Sequence, residues 1–142
     1  METRQPLAHL FPTTQANVAE VFDRIYAPWV KQMGMTDFVI RPGYCSIRLP
    51  QDPALQFSEG AICGQAIMAA IDTAAALAVC TDRAPRGTAY QHTQFLRPAA
   101  GEDLKVEATV VRSGKSSAYV ECGVTLIGSD RLAAHAVLEF AY

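Results

Sequence analysis

The stretch GAICGQAIMAAIDTAAALAVC, Gly60 to Cys80, is an almost unbroken apolar run that carries one carboxylate, Asp72, near its middle. An aspartate is seldom hidden from water without a partner, so it is either paired or used. Used, it is a general base or a nucleophile. Paired, it is a structural carboxylate held by Thr73 or by a hydroxyl on a neighbouring strand. The opening of the same run, CGQA at Cys63–Ala66, puts Gly64 in the first turn of a helix, where backbone N–H groups lack partners and the dipole favours negative charge. Such an N–H can polarise a carbonyl and hold an oxyanion. Gly64 and Asp72 are eight positions apart, roughly 12 Å along one helix, and cannot both touch one carbonyl group. Two antiparallel copies of the helix across a two-fold axis bring Gly64 of one next to Asp72 of the other, making two composite sites per dimer.

Other candidate residues lie at the start of this run and beyond it. Cys63 is either a candidate nucleophile or a small apolar thiol. In TAYQHTQFLRP, strand alternation sends Gln91, Thr93 and Phe95 to one face and Tyr90, His92 and Gln94 to the other. One set lines a polar pocket or a subunit contact. Arg97, Arg112 and Lys115, with Arg83 and Arg86, are either solvated charges or ligands for anionic groups. The SGKS segment lacks the upstream glycine of a P-loop, since Thr109 stands five residues before Gly114. It reads as a hairpin turn in which Gly114, Lys115 and Ser116 can meet a phosphate.

These residues need a frame. From Asn17 to Trp29 the apolar residues Val18, Val21, Phe22, Ile25, Tyr26 and Trp29 recur at helical spacing, with Thr13 or Thr14 as cap and an end or restart at Pro28. TDFVIRPGYCSIRLP reads as one strand interrupted near Pro42-Gly43. Four more strands, Thr88–Arg97, Leu104–Arg112, Ala118–Ile127 and Arg131–Tyr142, follow the apolar helix, and their short turns call for antiparallel pairing. The expected architecture is α+β: a long helix on a five-stranded antiparallel sheet, with a second helix in front.

At 142 residues, half of them hydrophobic, the chain fits one domain, with an arm and helix over 1–34 and the core over 35–142. A formal charge of -2 without a basic block gives no footprint for nucleic acid or an anionic membrane. Four cysteines without C-x-x-C spacing and three scattered histidines form no zinc motif, so no metal is expected and free thiols in a reducing cytoplasm are. METRQPLAHLFPTTQ has no apolar signal-peptide core. Gln65 and Asp72 argue against a membrane span over Ala61–Cys80.

The pattern CGQAIMAAIDTAAAL, followed by a strand ending FLRPA and an RSGKS hairpin, resembles the hotdog-fold acyl-CoA thioesterases of the phenylacetate-degradation (PaaI-like) type, over about Tyr44 to Phe140. The resemblance implies a helix wrapped by a curved five-stranded sheet, homodimers often paired into tetramers, and hydrolysis of acyl-CoA thioesters with no cofactor, coenzyme A being part of the substrate. By position, Asp72 matches the catalytic carboxylate, Thr73 the neighbouring hydroxyl and Gly64 the backbone donor. Cys63 stands where the family's histidine is common, and Gln65 replaces a second glycine, where it can orient water or the acyl oxygen. Gln91, Thr93, Arg97, Arg112, Gly114, Lys115 and Ser116 are then candidates for substrate contact, the basic ones for the coenzyme A phosphates. A non-catalytic acyl-CoA binding or scaffold protein is the alternative. A hydratase on the same fold calls for a histidine paired with the acid, and the helix has none.

Overall fold

The computed structural model describes residues 7–142. Six strands, β1 (Thr36–Arg41), β2 (Tyr44–Leu49), β3 (Gly87–Phe95), β4 (Leu104–Ser113), β5 (Ser117–Leu126) and β6 (Arg131–Ala141), form one antiparallel sheet in the order β1-β2-β4-β5-β6-β3. The sheet thus has six strands where the sequence pattern gave five. The segment around Pro42-Gly43 is a hairpin turn rather than an interruption: Arg41 pairs with Tyr44 and Ile40 with Cys45. Gly43 takes φ +70°, the left-handed conformation a two-residue turn needs.

The long helix α3 (Gly64–Val79) connects β2 to β3. Alanine fills much of it and no glycine or proline interrupts it after Gly64, so propensity and burial agree. Ala70, Ile71, Ala74, Ala75, Leu77 and Ala78 are fully buried against the sheet. They meet the inward residues of alternating strands, among them Leu104 and Val106 of β4, Val120 and Val124 of β5, and Leu138 and Phe140 of β6. The helix stops at Cys80, and the Thr81 hydroxyl donates to the Ala78 carbonyl (2.7 Å) and accepts from the Gly43 N–H (2.7 Å), tying this end to the β1–β2 turn. Because α3 carries the chain across the sheet, β3 lands beyond β6 as an edge strand.

The N-terminal helix is two pieces. α1 (Val18–Ile25) ends before an extended Tyr26-Ala27, and Pro28 opens the single turn α2 (Pro28–Lys31), where its missing N–H costs nothing. Neither Thr13 nor Thr14 caps α1. Residues 14–17 form a turn first, so Asn17 becomes the N-cap; Thr14 supplies its carbonyl to the Val18 N–H (3.0 Å) and its own N–H to Asn17 Oδ1 (2.7 Å). Lys31 Nζ donates to the Asp23 carbonyl (2.8 Å), holding α2 to α1.

All four cysteines are free. Burial pushes the Cys45, Cys80 and Cys122 thiols up to about 12, leaving half-buried Cys63 as the accessible one. Among the described residues no helix is long and apolar enough to cross a membrane. The signal-peptide reading rests partly on residues 1–6, outside the described residues.

Candidate active site at the first turn of α3 and the β3 edge

Three backbone hydrogen bonds fix where α3 begins. Phe57 N–H donates to the Ala61 carbonyl (2.9 Å), Ile62 N–H to Ala99 (3.0 Å) and Cys63 N–H to Leu55 (2.8 Å), clamping the entry loop between the β2 exit and the segment after β3. Cys63 is the N-cap residue, and its side chain makes no capping bond. Among the described residues nothing accepts the Gly64 N–H, so the first turn keeps an available donor. Gly64 is not required by backbone twist. A Cβ there would sit 3.3 Å from the Phe95 ring, so glycine lets β3 come close.

Gly64, Met68 and Asp72 lie four residues apart on one stripe of α3, and each meets β3. Phe95 packs on Gly64, Gln91 Nε2 donates to the Met68 carbonyl (3.3 Å), and the Thr88 hydroxyl donates to Asp72 Oδ1 (2.5 Å). The run of partners Phe95, Gln91, Thr88 follows an antiparallel path. Thr93 joins it through its hydroxyl, which donates to Gln91 Oε1 (2.7 Å). Asp72 is half-buried, and its Oδ2 has no hydrogen-bond partner among the described residues. Of the two readings of a paired aspartate, a strand hydroxyl is the one present.

Thr88 was not singled out by sequence, and the reason is local. Simple alternation from Gln91 sends position 88 to the outer face. A bulge between Thr88 and Tyr90 leaves Ala89 unmatched, so Thr88 pairs with Phe140 while Tyr90 pairs with Glu139, and Thr88 returns to the helix side. A hydroxyl residue just inside a glycine-started strand was the only available signal.

Thr73 is buried, and its hydroxyl donates to the Ala69 carbonyl within α3 (2.8 Å). Its own carbonyl accepts from the Tyr26 hydroxyl (3.4 Å), whose pKa burial raises well above the ordinary value. Gln65 is exposed on the first turn. Two cavities flank that turn. One, of about 560 Å³, is lined by Gly64, Phe57, Phe95, Glu59 and Arg97 among others. Arg97 Nε is buried there without a hydrogen-bond partner. The other, of about 350 Å³, is lined by Cys63 and Gln65 together with Trp29, Met33 and Leu55.

Arg112, Gly114, Lys115 and Ser116 are not gathered with these. Arg112 lies near the end of β4, and Gly114, Lys115 and Ser116 form the β4–β5 turn, at the C-terminal end of α3 and roughly 24 Å from Gly64 on helix length alone. The Gly114 N–H is taken by the Ser117 carbonyl (2.8 Å), and the Tyr142 N–H donates to Ser116 (3.0 Å). Arg83 binds the Gly114 carbonyl (2.6 Å) and lies over the Tyr142 ring at 3.7 Å. Arg112 and Lys115 stay exposed. No cluster of three or more His, Cys, Asp or Glu able to hold a metal occurs among the described residues.

The family model of the thioesterase superfamily matches residues 59–133, more than half of the chain and all of α3 through β5. The chain belongs to the thioesterase superfamily. Thioester hydrolysis is thereby its class of reaction. No curated protein matches the sequence. Solved structures share the fold. A thioesterase family protein from Silicibacter pomeroyi is 23% identical, with 89% of this chain and 96% of that one covered at a TM-score of 0.80. The E. coli PaaI protein from the phenylacetic acid degradation operon is 19% identical, with 96% and 95% covered at 0.79. Zebra fish thioesterase superfamily member 2 is 18% identical, with 90% and 97% covered at 0.79. The thioesterase therefore has a hotdog architecture, here with six strands around α3.

Proposed function

We propose that this thioesterase hydrolyses acyl-CoA thioesters in the cytoplasm, in composite sites built by two copies of the chain. The observation that carries the reading is the single α3 stripe with a free donor at Gly64 and a half-buried carboxylate at Asp72. Along one helix the two are too far apart for one carbonyl. β3 is a nine-residue edge strand with no proline, open on the side away from β6. Open edges of this kind pair with another strand. Antiparallel pairing of two β3 strands about an axis at His92 keeps both helices on one face of the joined sheet and sets Phe95 opposite the partner subunit's Thr88, at the bulge that leaves Ala89 unmatched. Gly64 then faces the partner's Asp72. Isologous two-fold pairing is the commonest assembly, and pairing of dimers into tetramers is compatible with it.

In such a site the Gly64 N–H donates to the thioester carbonyl oxygen. Asp72 either takes a proton from water as the hydroxide adds to the carbonyl carbon, or adds to that carbon itself. The carbonyl electron pair moves onto oxygen, held by the N–H. Collapse breaks the C–S bond and releases the coenzyme A thiolate. On the first route the thiolate takes the proton from Asp72 and the acid leaves. On the second, water then adds to the Asp72 mixed anhydride, freeing the carboxylate of Asp72 and the product acid and supplying the proton the thiolate takes up. Thr88 acts as a positioning residue through Asp72 Oδ1, leaving Oδ2 for chemistry. Thr73 fixes the helix turn beneath the acid. Gln91 and Thr93 line the polar wall between the two helices. Arg97 lies in the cavity Gly64 lines and is the first candidate for a coenzyme A phosphate, with Arg112 and Lys115 reaching the same substrate from the partner. No cofactor takes part.

Cys63 favours the second reading, an acyl-CoA binding protein without turnover, because it offers no ring nitrogen beside the donor. A thiol-release assay over a panel of acyl-CoA thioesters separates the two. Release of free thiol, abolished in Asp72→Asn, supports the hydrolase. Tight binding of acyl-CoA with no thiol released supports the second.

A further inference from the structure

The two cavities beside the first turn of α3 differ in charge. The larger contains Glu59 and Arg97. The smaller has no charged residue: Trp29, Met33, Leu55, Ala66 and Cys63 give it an apolar wall, and its polar side chains are the neutral Gln32 and Gln65. Cys63 and Gln65 bracket Gly64 in sequence, so this cavity borders the turn that carries the free N–H. We infer that the smaller cavity receives the acyl group of the thioester, that Trp29 is its specificity-determining residue, and that coenzyme A leaves through the Arg97 side. The inference rests on the thioesterase reading and names its substrate class: acyl groups with an uncharged, medium-length chain or one ring.

Three observations support it. Trp29 is 60% exposed, an unusual setting for the chain's one tryptophan, and its apolar area is buried at no cost if an alkyl chain enters. It is held in place: Pro28 starts the α2 turn, Lys31 ties α2 to α1, and Met33, 3% exposed, anchors the exit. The volume of about 350 Å³ sits at the small end for ligand sites. At about 30 Å³ per water-sized group it takes roughly ten methylenes or fewer.

The sole tryptophan makes the test independent of turnover. Trp29 emission and calorimetric binding are measured with coenzyme A, with 2-oxopropyl-CoA and with 2-oxodecyl-CoA, non-hydrolysable ketones that keep the carbonyl, and with decanoate. The expected result is a blue shift with 2-oxodecyl-CoA, none with coenzyme A, and at least about tenfold tighter binding of the long ketone than the short one. Ala54 is exposed at this cavity, and its N–H keeps the Asp52 cap whatever its side chain. Ala54→Phe, with its fold checked by circular dichroism, should remove most of that tenfold preference. Tighter binding of the long ketone with unchanged Trp29 emission, and with no effect of Ala54→Phe, overturns the inference while leaving the thioesterase reading in place. A blue shift with decanoate, when none of the coenzyme A compounds binds, keeps the cavity as an alkyl-chain site and overturns the thioesterase reading. No response to any probe overturns both.

Discussion

β5 and β3 flank the same strand, β6, and both pair with it antiparallel, yet they are built to different ends. β5 alternates cleanly, with Ala118, Val120, Cys122, Val124 and Leu126 buried under α3 and polar or small residues between them. β3 has no buried residue at all; Gln91 and Thr93 are half-buried and the rest are exposed. The sheet continues past β5 to β4, whereas β3 has only β6, and its inward face meets the Gly64–Met68–Asp72 stripe of α3 instead of the buried alanine-rich face. A strand that buries nothing contributes little to the isolated fold. Its polar inward face, long open edge and contact with Asp72 suit it to a partner and a substrate.

The contrast can be broken by substitutions on each side. Asp72→Asn should lower kcat by about a hundredfold or more, measured by thiol release, with the melting curve little changed. Near wild-type turnover would make Asp72 a structural carboxylate. On the β5 side, Val124→Ala should cost about 2 kcal/mol in urea unfolding, from two lost methyls and the cavity left, while kcat stays close to wild type. A silent Val124→Ala would erase the distinction. Thr88→Val should lower kcat by about tenfold with KM little changed, and Thr88→Ser should restore it, since only the hydroxyl bonds Asp72. Loss of stability without loss of kcat would make the pair structural.

The smallest effect concerns neither strand but the loop that leads to α3. The Gln51 N–H and the Arg48 guanidinium hold the Asp103 carboxyl below its ordinary value. A depressed carboxylate stabilises the fold above its unfolded pKa, and that contribution is lost as pH falls through the folded one. The stability gap between wild type and Asp103→Asn should therefore be full at neutral pH and close below about pH 4. A gap that is constant with pH would mean that the carboxylate's charge is immaterial.

Much of this was legible in the sequence, and the gaps are local. Helical composition and one embedded acid marked α3, and period-two alternation marked β4, β5 and β6, because one face of each is buried. The sixth strand was hidden because Pro42-Gly43 reads equally as an interruption or as a tight turn, and only the Ile40–Cys45 register decides it. Thr88 was hidden by one unmatched residue, Ala89, since a bulge reverses faces without a sequence signature. The Trp29 cavity was hidden because residues near 29, 54 and 63 build it together, and no spacing rule links three separate segments.

The central claim, that each site takes Gly64 from one copy and Asp72 from the other, is tested most directly by mixing two inactive proteins. Gly64→Val presses on Phe95 and disturbs the donor turn, and Asp72→Asn removes the acid. After dissociation and reassembly, about half the dimers are mixed, each with one doubly altered site and one intact site. The account predicts recovery of roughly a quarter of wild-type activity. No recovery, with subunit exchange verified by mass spectrometry and each variant dimeric, would contradict it and place the whole site within one chain.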